Sequence, residues 1–447
     1  MISEYLSFLD IIAALFWLVV LSIIVSGQAN KITNPELKTY YSRNFYIKVF
    51  YGVTFTIVYL IVYGGGDTKA YWDGAVVLNK LFFNSPGLYF DALLSPPTPE
   101  NRLIHFNMQT GFPPGWIYRE EQGWYVSKVA SVISIITFRS YFATVIVFSY
   151  FVSRATWNIF ELVTKLNLHT TRIAAWCMLY VPSVGFWCSG ITKDTLIYIS
   201  ILNILYYSLD YLILKNKLTL RHIIAIVAFT LLISQIRAFA LAATFAPLLA
   251  AFGTRITNNY SSSPFAKFAF RLVFLTVGGF GFFTVFSSSV ITELAQEASI
   301  VQNDFKNNSI YTGKKYDIGE VDGSPAGMIG AFPISVFYGV YKPFIYESLS
   351  PTLILNGIES LILVIMTLNF LFVGNIFKKI KRVRTSEFLI FSFIFVLLIG
   401  FMAGYTSVLY GVLVRFRAPL LPFLFLIFTT KPEVITKPGE NLLIKKE

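Results

Sequence analysis

The stretch KVFYGVTFTIVYLIVYGGGDTKAYWDG, residues 48–74, decides the fold class. From Val49 to Tyr63 it is apolar or aromatic with no charge, a run that is at ease only in a membrane. At Gly64 the character changes, and three glycines, two carboxylates and a lysine follow where the helix leaves lipid.

Runs of the same kind recur along the chain. Of its 447 residues 55% are hydrophobic and only 13% are charged, which together with those runs marks an all-α, polytopic integral membrane helical bundle. The 44 Phe and 26 Tyr suit a bilayer and its interfaces, where a ring has an apolar body and a wet edge. A formal charge of +12 would suit a nucleic-acid partner only if the cations gathered on one solvated surface. They sit between the apolar runs instead, so membrane topology accounts for them and no nucleic-acid partner is expected.

Apolar windows predict about 11 spans, near residues 9–26, 46–63, 130–153, 173–189, 194–213, 222–235, 238–252, 268–288, 353–376, 386–404 and 412–430. The first lacks a basic leader and a small-residue cleavage site, so it reads as a retained span. Cys177 and Cys188 share one run and, on one helix, would lie roughly 16 Å apart, too far for a disulfide. Residues 1–430 then form one transmembrane domain without an internal repeat, and 431–447 a basic tail.

Lysine and arginine give the orientation. The connections 28–48, 154–172, 214–221, 253–271 and 377–385 and the tail hold 22 of the 36, although they are the shorter set. By the positive-inside rule that set is cytoplasmic, with the amino terminus outside and the carboxyl terminus inside. The long loops 64–128 and 289–350 then face outward, as do the turns carrying Lys193, Asp194, Arg237, Arg415 and Arg417. Arg139 falls inside a predicted span.

Five clusters on that outward face are candidates for chemistry. Asp67 opens a predicted interfacial helix, either as its N-cap or as a general base or metal ligand at the membrane surface. Asp73, six residues on, is not on the same helical face. In PSVGFWCSGITKDTL, residues 182–196, Lys193 and Asp194 form either an interfacial ion pair or a phosphate contact with a carboxylate beside it. Arg237 interrupts an apolar stretch and either snorkels at a short turn or binds a ligand. In YGVLVRFRAPLLPF, residues 410–423, Arg415 and Arg417 run against the charge trend, and meet either lipid phosphates or the pyrophosphate of a lipid-linked substrate. Lys342 and Glu347, in the second long loop, complete the set. His105 is the single histidine outside, so neither a hydrolase triad nor a zinc site is expected. Walker and Rossmann glycine loops are absent from the sequence.

Four of these stretches, GGGDTKAYW, PSVGFWCSGITKDTL, VYKPFIYES and VLVRFRAPLLPF, together resemble bacterial polytopic proteins of cell-surface polysaccharide synthesis, and more loosely GT-C glycosyltransferases and Wzy-type polymerases. The resemblance implies residence in the bacterial cytoplasmic membrane, a catalytic face outside the cytoplasm and polyprenyl-linked saccharides as donors. From the GT-C side it implies an acidic base or ligand of a divalent metal (Mg or Mn) at Asp67, here after the second span and without an adjacent carboxylate. From the Wzy side it implies arginines on the lipid pyrophosphate, a role open to Arg237, Arg415 and Arg417.

The resulting expectation is a membrane glycosyltransferase or polysaccharide polymerase. Asp67 activates an acceptor hydroxyl with Asp73, Glu120 or Asp194 in support, while Lys193, Arg237, Arg415, Arg417 and Lys342 bind lipid phosphate. Membrane lipids and other polysaccharide-assembly proteins are the expected partners. The rival expectations are a flippase for the same lipids, which needs charges through mid-membrane, and a non-catalytic envelope assembly protein, which tolerates loss of Asp67.

Overall fold

The side chains of Ser7, Asn34, Thr98, Ser140, Thr170, Ser324, Asn375 and Ser386 each accept a backbone amide two or three residues ahead. These caps start helices where orphan amides would otherwise be unpaired. The computed structural model describes residues 7–214, 218–260, 265, 288–308, 313–319, 324–348 and 353–430. Among these residues the structure is helical, apart from turns and one isolated bridge between Lys315 and Leu409.

In chain order the α-helices are α1 (Phe8–Ala29), α2 (Pro35–Ile61), α3 (Gly66–Asn84), α4 (Pro86–Leu94), α5 (Pro99–His105), α6 (Gly115–Arg119), α7 (Glu121–Ile136), α8 (Tyr141–Lys165), α9 (Thr171–Leu179), α10 (Pro182–Trp187), α11 (Lys193–Leu214), α12 (Leu220–Ile236), α13 (Ala238–Tyr260), α14 (Ser288–Asn307), α15 (Pro325–Tyr341), α16 (Ile354–Phe372), α17 (Ile376–Thr385), α18 (Glu387–Thr406), α19 (Tyr410–Arg417) and α20 (Leu421–Phe428).

Among the described residues seven helices are long and apolar enough to cross a membrane: α1, α2, α11, most of α13, α16, α18, and α19 with α20 taken together. The sequence count of about 11 is higher for identifiable reasons. The run at 130–153 is broken into α7 and α8, which meet at 105°. Phe138 and Arg139 make that corner in the left-handed region, with φ of 58° and 59°. Arg139 therefore lies at a turn, its guanidinium 5.2 Å from the Phe83 ring centroid, and not inside a span. The run at 173–189 is two short helices, α9 and α10, separated at Pro182, and both of its cysteines are buried free thiols. The helix α12 is only 17 residues long. The run at 268–288, apart from Ser288, and the tail 431–447 lie outside the described residues.

Among the described residues α15 and α18 approach each other closely. A Cβ at Gly339 would stand 1.8 Å from the Gly400 carbonyl oxygen, and one at Gly404 would stand 1.9 Å from that of Ser335. Small residues four apart on both helices, Ser335 with Gly339 and Gly400 with Gly404, bring the two backbones into direct contact. In lipid, where burial of apolar surface drives little association, such close van der Waals approach holds helices together. Tyr316 adds a hydroxyl that donates to the Gly404 carbonyl at 2.9 Å.

The loop at 64–128 folds into α3 to α6 and the start of α7. Gly64, Gly65 and Gly66 have φ of 68°, 126° and 66°, values that side chains disfavour, and they turn the chain from α2 into α3 within three residues. The helix α3 was expected to lie in the headgroup plane. Within the protein it buries Tyr71, Trp72, Ala75 and Leu78. Its first turn is pinned by the Thr68 hydroxyl, 2.8 Å from the Tyr141 hydroxyl, and by Trp72 stacked on Tyr141.

Candidate functional site

Asp194 is the centre of the site. The Thr192 hydroxyl accepts from the Thr195 amide at 3.1 Å and so starts α11 with Lys193 and Asp194 in its first turn. The Asp194 side chain is only 2% exposed, and each of its oxygens accepts from a different arginine. Oδ1 receives Arg237 Nη1 at 3.1 Å, and Oδ2 receives Arg415 Nε. A carboxylate this deep is tolerable because two guanidiniums compensate its lost hydration.

Arg237 lies in the extended break between α12 and α13. Its guanidinium points inward and sits 3.8 Å from the Phe416 ring centroid, so it pairs with a carboxylate and an aromatic face rather than snorkelling to the surface.

Arg415 extends the row outward. While Nε holds Asp194, Nη1 donates to Asp67 Oδ2 at 3.0 Å. Asp67 is not an N-cap: the cap residue of α3 is Gly65, and Asp67, one position inside the helix, turns its 44%-exposed carboxylate toward Arg415. A parallel pair stands alongside, in which the nearly buried ammonium of Lys193 donates to Glu120, also 44% exposed.

Five of these six charges open onto one cavity of about 590 Å³, a size suited to a small polar ligand or headgroup, with Asp194 behind them. Asp67, Glu120, Lys193, Arg237 and Arg415 line it directly, with Tyr71 and Trp116 as aromatic wall. The helix α14 closes one side through Val301, Asp304 and Phe305.

Three sequence candidates lie elsewhere. Asp73 pairs with Lys69 at 2.7 Å one helical turn away and is not on the cavity wall. Arg417 is wholly buried on the far face of α19, because residues two apart on a helix point to nearly opposite sides. Its guanidinium donates to the carbonyls of Val340, Lys342 and Asn356, to the Ser360 hydroxyl and to Glu359 at 3.1 Å. The paired basic opening expected from Arg415 and Arg417 is therefore replaced by one site arginine and one structural arginine.

Lys342 likewise belongs to a separate cluster. Its ammonium donates to Glu347 at 2.6 Å and to the Tyr410 hydroxyl at 3.3 Å, and lies 4.5 Å from the Tyr338 ring centroid. His105 pairs with Asp91 at 2.7 Å, also off the cavity.

The donor set does not suit the divalent metal that the GT-C resemblance implies. Among the described residues no group of three or more His, Cys, Asp and Glu side chains gathers. Asp67 and Asp194 both face Arg415, whose positive charge occupies the place a cation would take.

Sequence reasoning missed Phe416 and the aromatic wall, and it had no means of pairing Lys193 with Glu120 across 73 positions. The small-residue spacing of Gly400 and Gly404 was a legible signal for the α15–α18 contact. Comparison with protein-family models, with curated proteins and with solved structures produced no match in any of the three.

Proposed function

We propose that this chain is an integral membrane glycosyltransferase or polysaccharide polymerase that takes a polyprenyl-phosphate-linked or polyprenyl-diphosphate-linked saccharide into the charged cavity. One observation carries the reading: three cations, Lys193, Arg237 and Arg415, share a membrane-protein cavity with two half-exposed carboxylates, Asp67 and Glu120. That is the pairing a transfer from a lipid phosphate requires. A sugar hydroxyl is a weak nucleophile that needs a base, and a departing phosphate develops charge that needs fixed cations.

In the mechanism, an acceptor hydroxyl oxygen attacks the anomeric carbon and its proton passes to Asp67. The bond from that carbon to the lipid phosphate oxygen breaks, and the released phosphate is held by Arg237, Arg415 and Lys193. Asp194, with both oxygens engaged, is a positioning residue that fixes the two guanidiniums. Asp73, Arg417 and Lys342 have no part. No nucleotide is consumed, because the lipid-linked donor is already activated.

The residues lining the cavity come mainly from connections poor in Lys and Arg, which supports an outward-facing site in the bacterial cytoplasmic membrane. The test is reconstitution in liposomes with a polyprenyl-diphosphate-linked saccharide. Wild type should form product, while Asp67→Asn and Arg415→Ala should not. Undiminished product from both variants overturns the proposal.

A further inference from the structure

The ion pairs of the cavity are of two kinds. Asp194 is buried and gives both oxygens to arginines, so it cannot leave without stranding a charge. Asp67 and Glu120 are each 44% exposed and cover cations that are themselves largely buried, Arg415 and Lys193. The inner carboxylate is an anchor and the outer two are covers.

We infer that Asp67 and Glu120 are displaceable latches: a phosphate or diphosphate group takes their places on Arg415 and Lys193, and its arrival frees Asp67 to accept a proton. The inference rests on the proposed function for the identity of the ligand, but its physical content is a competition that binding alone can measure.

Geometry sets the direction of the exchange. When an anion approaches, Arg415 is held from behind through Nε by Asp194, so its guanidinium stays in place and the partner on Nη1 is the one to move. Asp67 follows three consecutive glycines at positive φ, the kind of backbone that absorbs a change of direction at least steric cost. With both covers displaced, the Arg415 and Lys193 donors that held them are free for the oxygens of a diphosphate, with Arg237 beside them on the same wall.

The exchange also couples two events. While Asp67 Oδ2 accepts from Arg415 Nη1, that oxygen is not available to an acceptor hydroxyl. Phosphate on Arg415 releases that oxygen, so the carboxylate can take up an acceptor hydroxyl only when the leaving group is seated.

The test measures binding of inorganic pyrophosphate to the detergent-solubilised full chain by calorimetry. Wild type should bind, and Asp67→Asn should bind more tightly, by up to about fivefold for a half-exposed pair, although it is the variant that loses transfer. Asp67→Ser should shift affinity the same way, which covers a folding defect peculiar to one variant. Asp194→Asn should weaken binding. Equal or weaker binding by both Asp67 variants, or no binding by wild type, overturns the latch. Tighter binding by the variants with no saccharide transfer by wild type leaves the latch standing and removes the transferase reading.

Discussion

Arg415 and Arg417 are two residues apart on one helix, yet Arg415 reaches Asp67 and Asp194 on the cavity while Arg417 reaches Glu359 on the opposite side. The relationship follows from helical geometry, since two steps of 100° bring a side chain to the far face. One helix thus serves the site and locks the fold, and the two roles respond differently to substitution.

Arg417→Met strands the Glu359 carboxylate, which is almost buried, and should cost roughly 3–5 kcal/mol of stability. Adding Glu359→Gln should recover much of that loss, because the uncompensated charge is gone. Thermal unfolding of the purified variants reads both effects. Arg417→Met with a wild-type melting temperature would contradict the structural role.

At Asp67 and Asp73 the expectation separates two carboxylates of one helix. Asp67→Asn should lower turnover by about 10²- to 10⁴-fold, the range for loss of a general base. Asp73→Asn, which removes a carboxylate paired with Lys69 on the same helix and off the cavity wall, should leave turnover within about twofold. Rates measured on one lipid-linked substrate decide it.

The contact between α15 and α18 predicts a contrast among glycines. Gly404→Val drives its side chain into the Ser335 carbonyl and should abolish a monodisperse folded protein. Gly411→Ala, with nothing within 4 Å of the added carbon in helix α19, should be neutral or stabilising by up to about 1 kcal/mol. Size-exclusion profiles and melting temperatures provide the readout.

The Lys342–Glu347 clasp should be sensitive to acid. Burial pushes the Glu347 carboxyl up, but hydrogen bonds from Lys342, the Phe344 amide and Tyr410 outweigh it and hold the group below its ordinary value. With the folded value below the unfolded one, the clasp contributes fully above about pH 4.5 and is lost as pH falls through the folded value. The melting-temperature gap between wild type and Glu347→Gln should be constant near neutrality and narrow as pH falls below the ordinary value of 4.5 and through the lower folded one. A gap that persists undiminished at lower pH would contradict the assignment.

Orientation can be read by thiol labelling without removing the native cysteines, since Cys177 and Cys188 are buried. Met108→Cys, at a 92%-exposed position, should label from outside intact cells. Lys381→Cys, on the exposed face of α17, should label only after the membrane is opened. The reverse pattern would invert the proposed topology.

The helical class and the membrane setting were legible in the sequence, because both follow from apolar composition and run length, which are local quantities. So was the polar break at GGGDTKAYWDG, where three glycines announce a turn. The breaks that lowered the span count were harder, since Phe138 and Arg139 adopt a left-handed corner that neither residue type announces.

What only the tertiary structure decided is which charges meet. Asp67 and Arg415 are 348 positions apart, and Asp194 and Arg415 are 221 apart. The sequence determined that carboxylates, a lysine and arginines occur at the ends of apolar runs. Packing of α3, α11 and α19 joined Asp67, Asp194 and Arg415 in one ion-pair cluster, left Asp73 on another face and buried Arg417 behind it. The physical reason is that an ion pair depends on distance and burial, and in a helical bundle both are set by which helix faces touch.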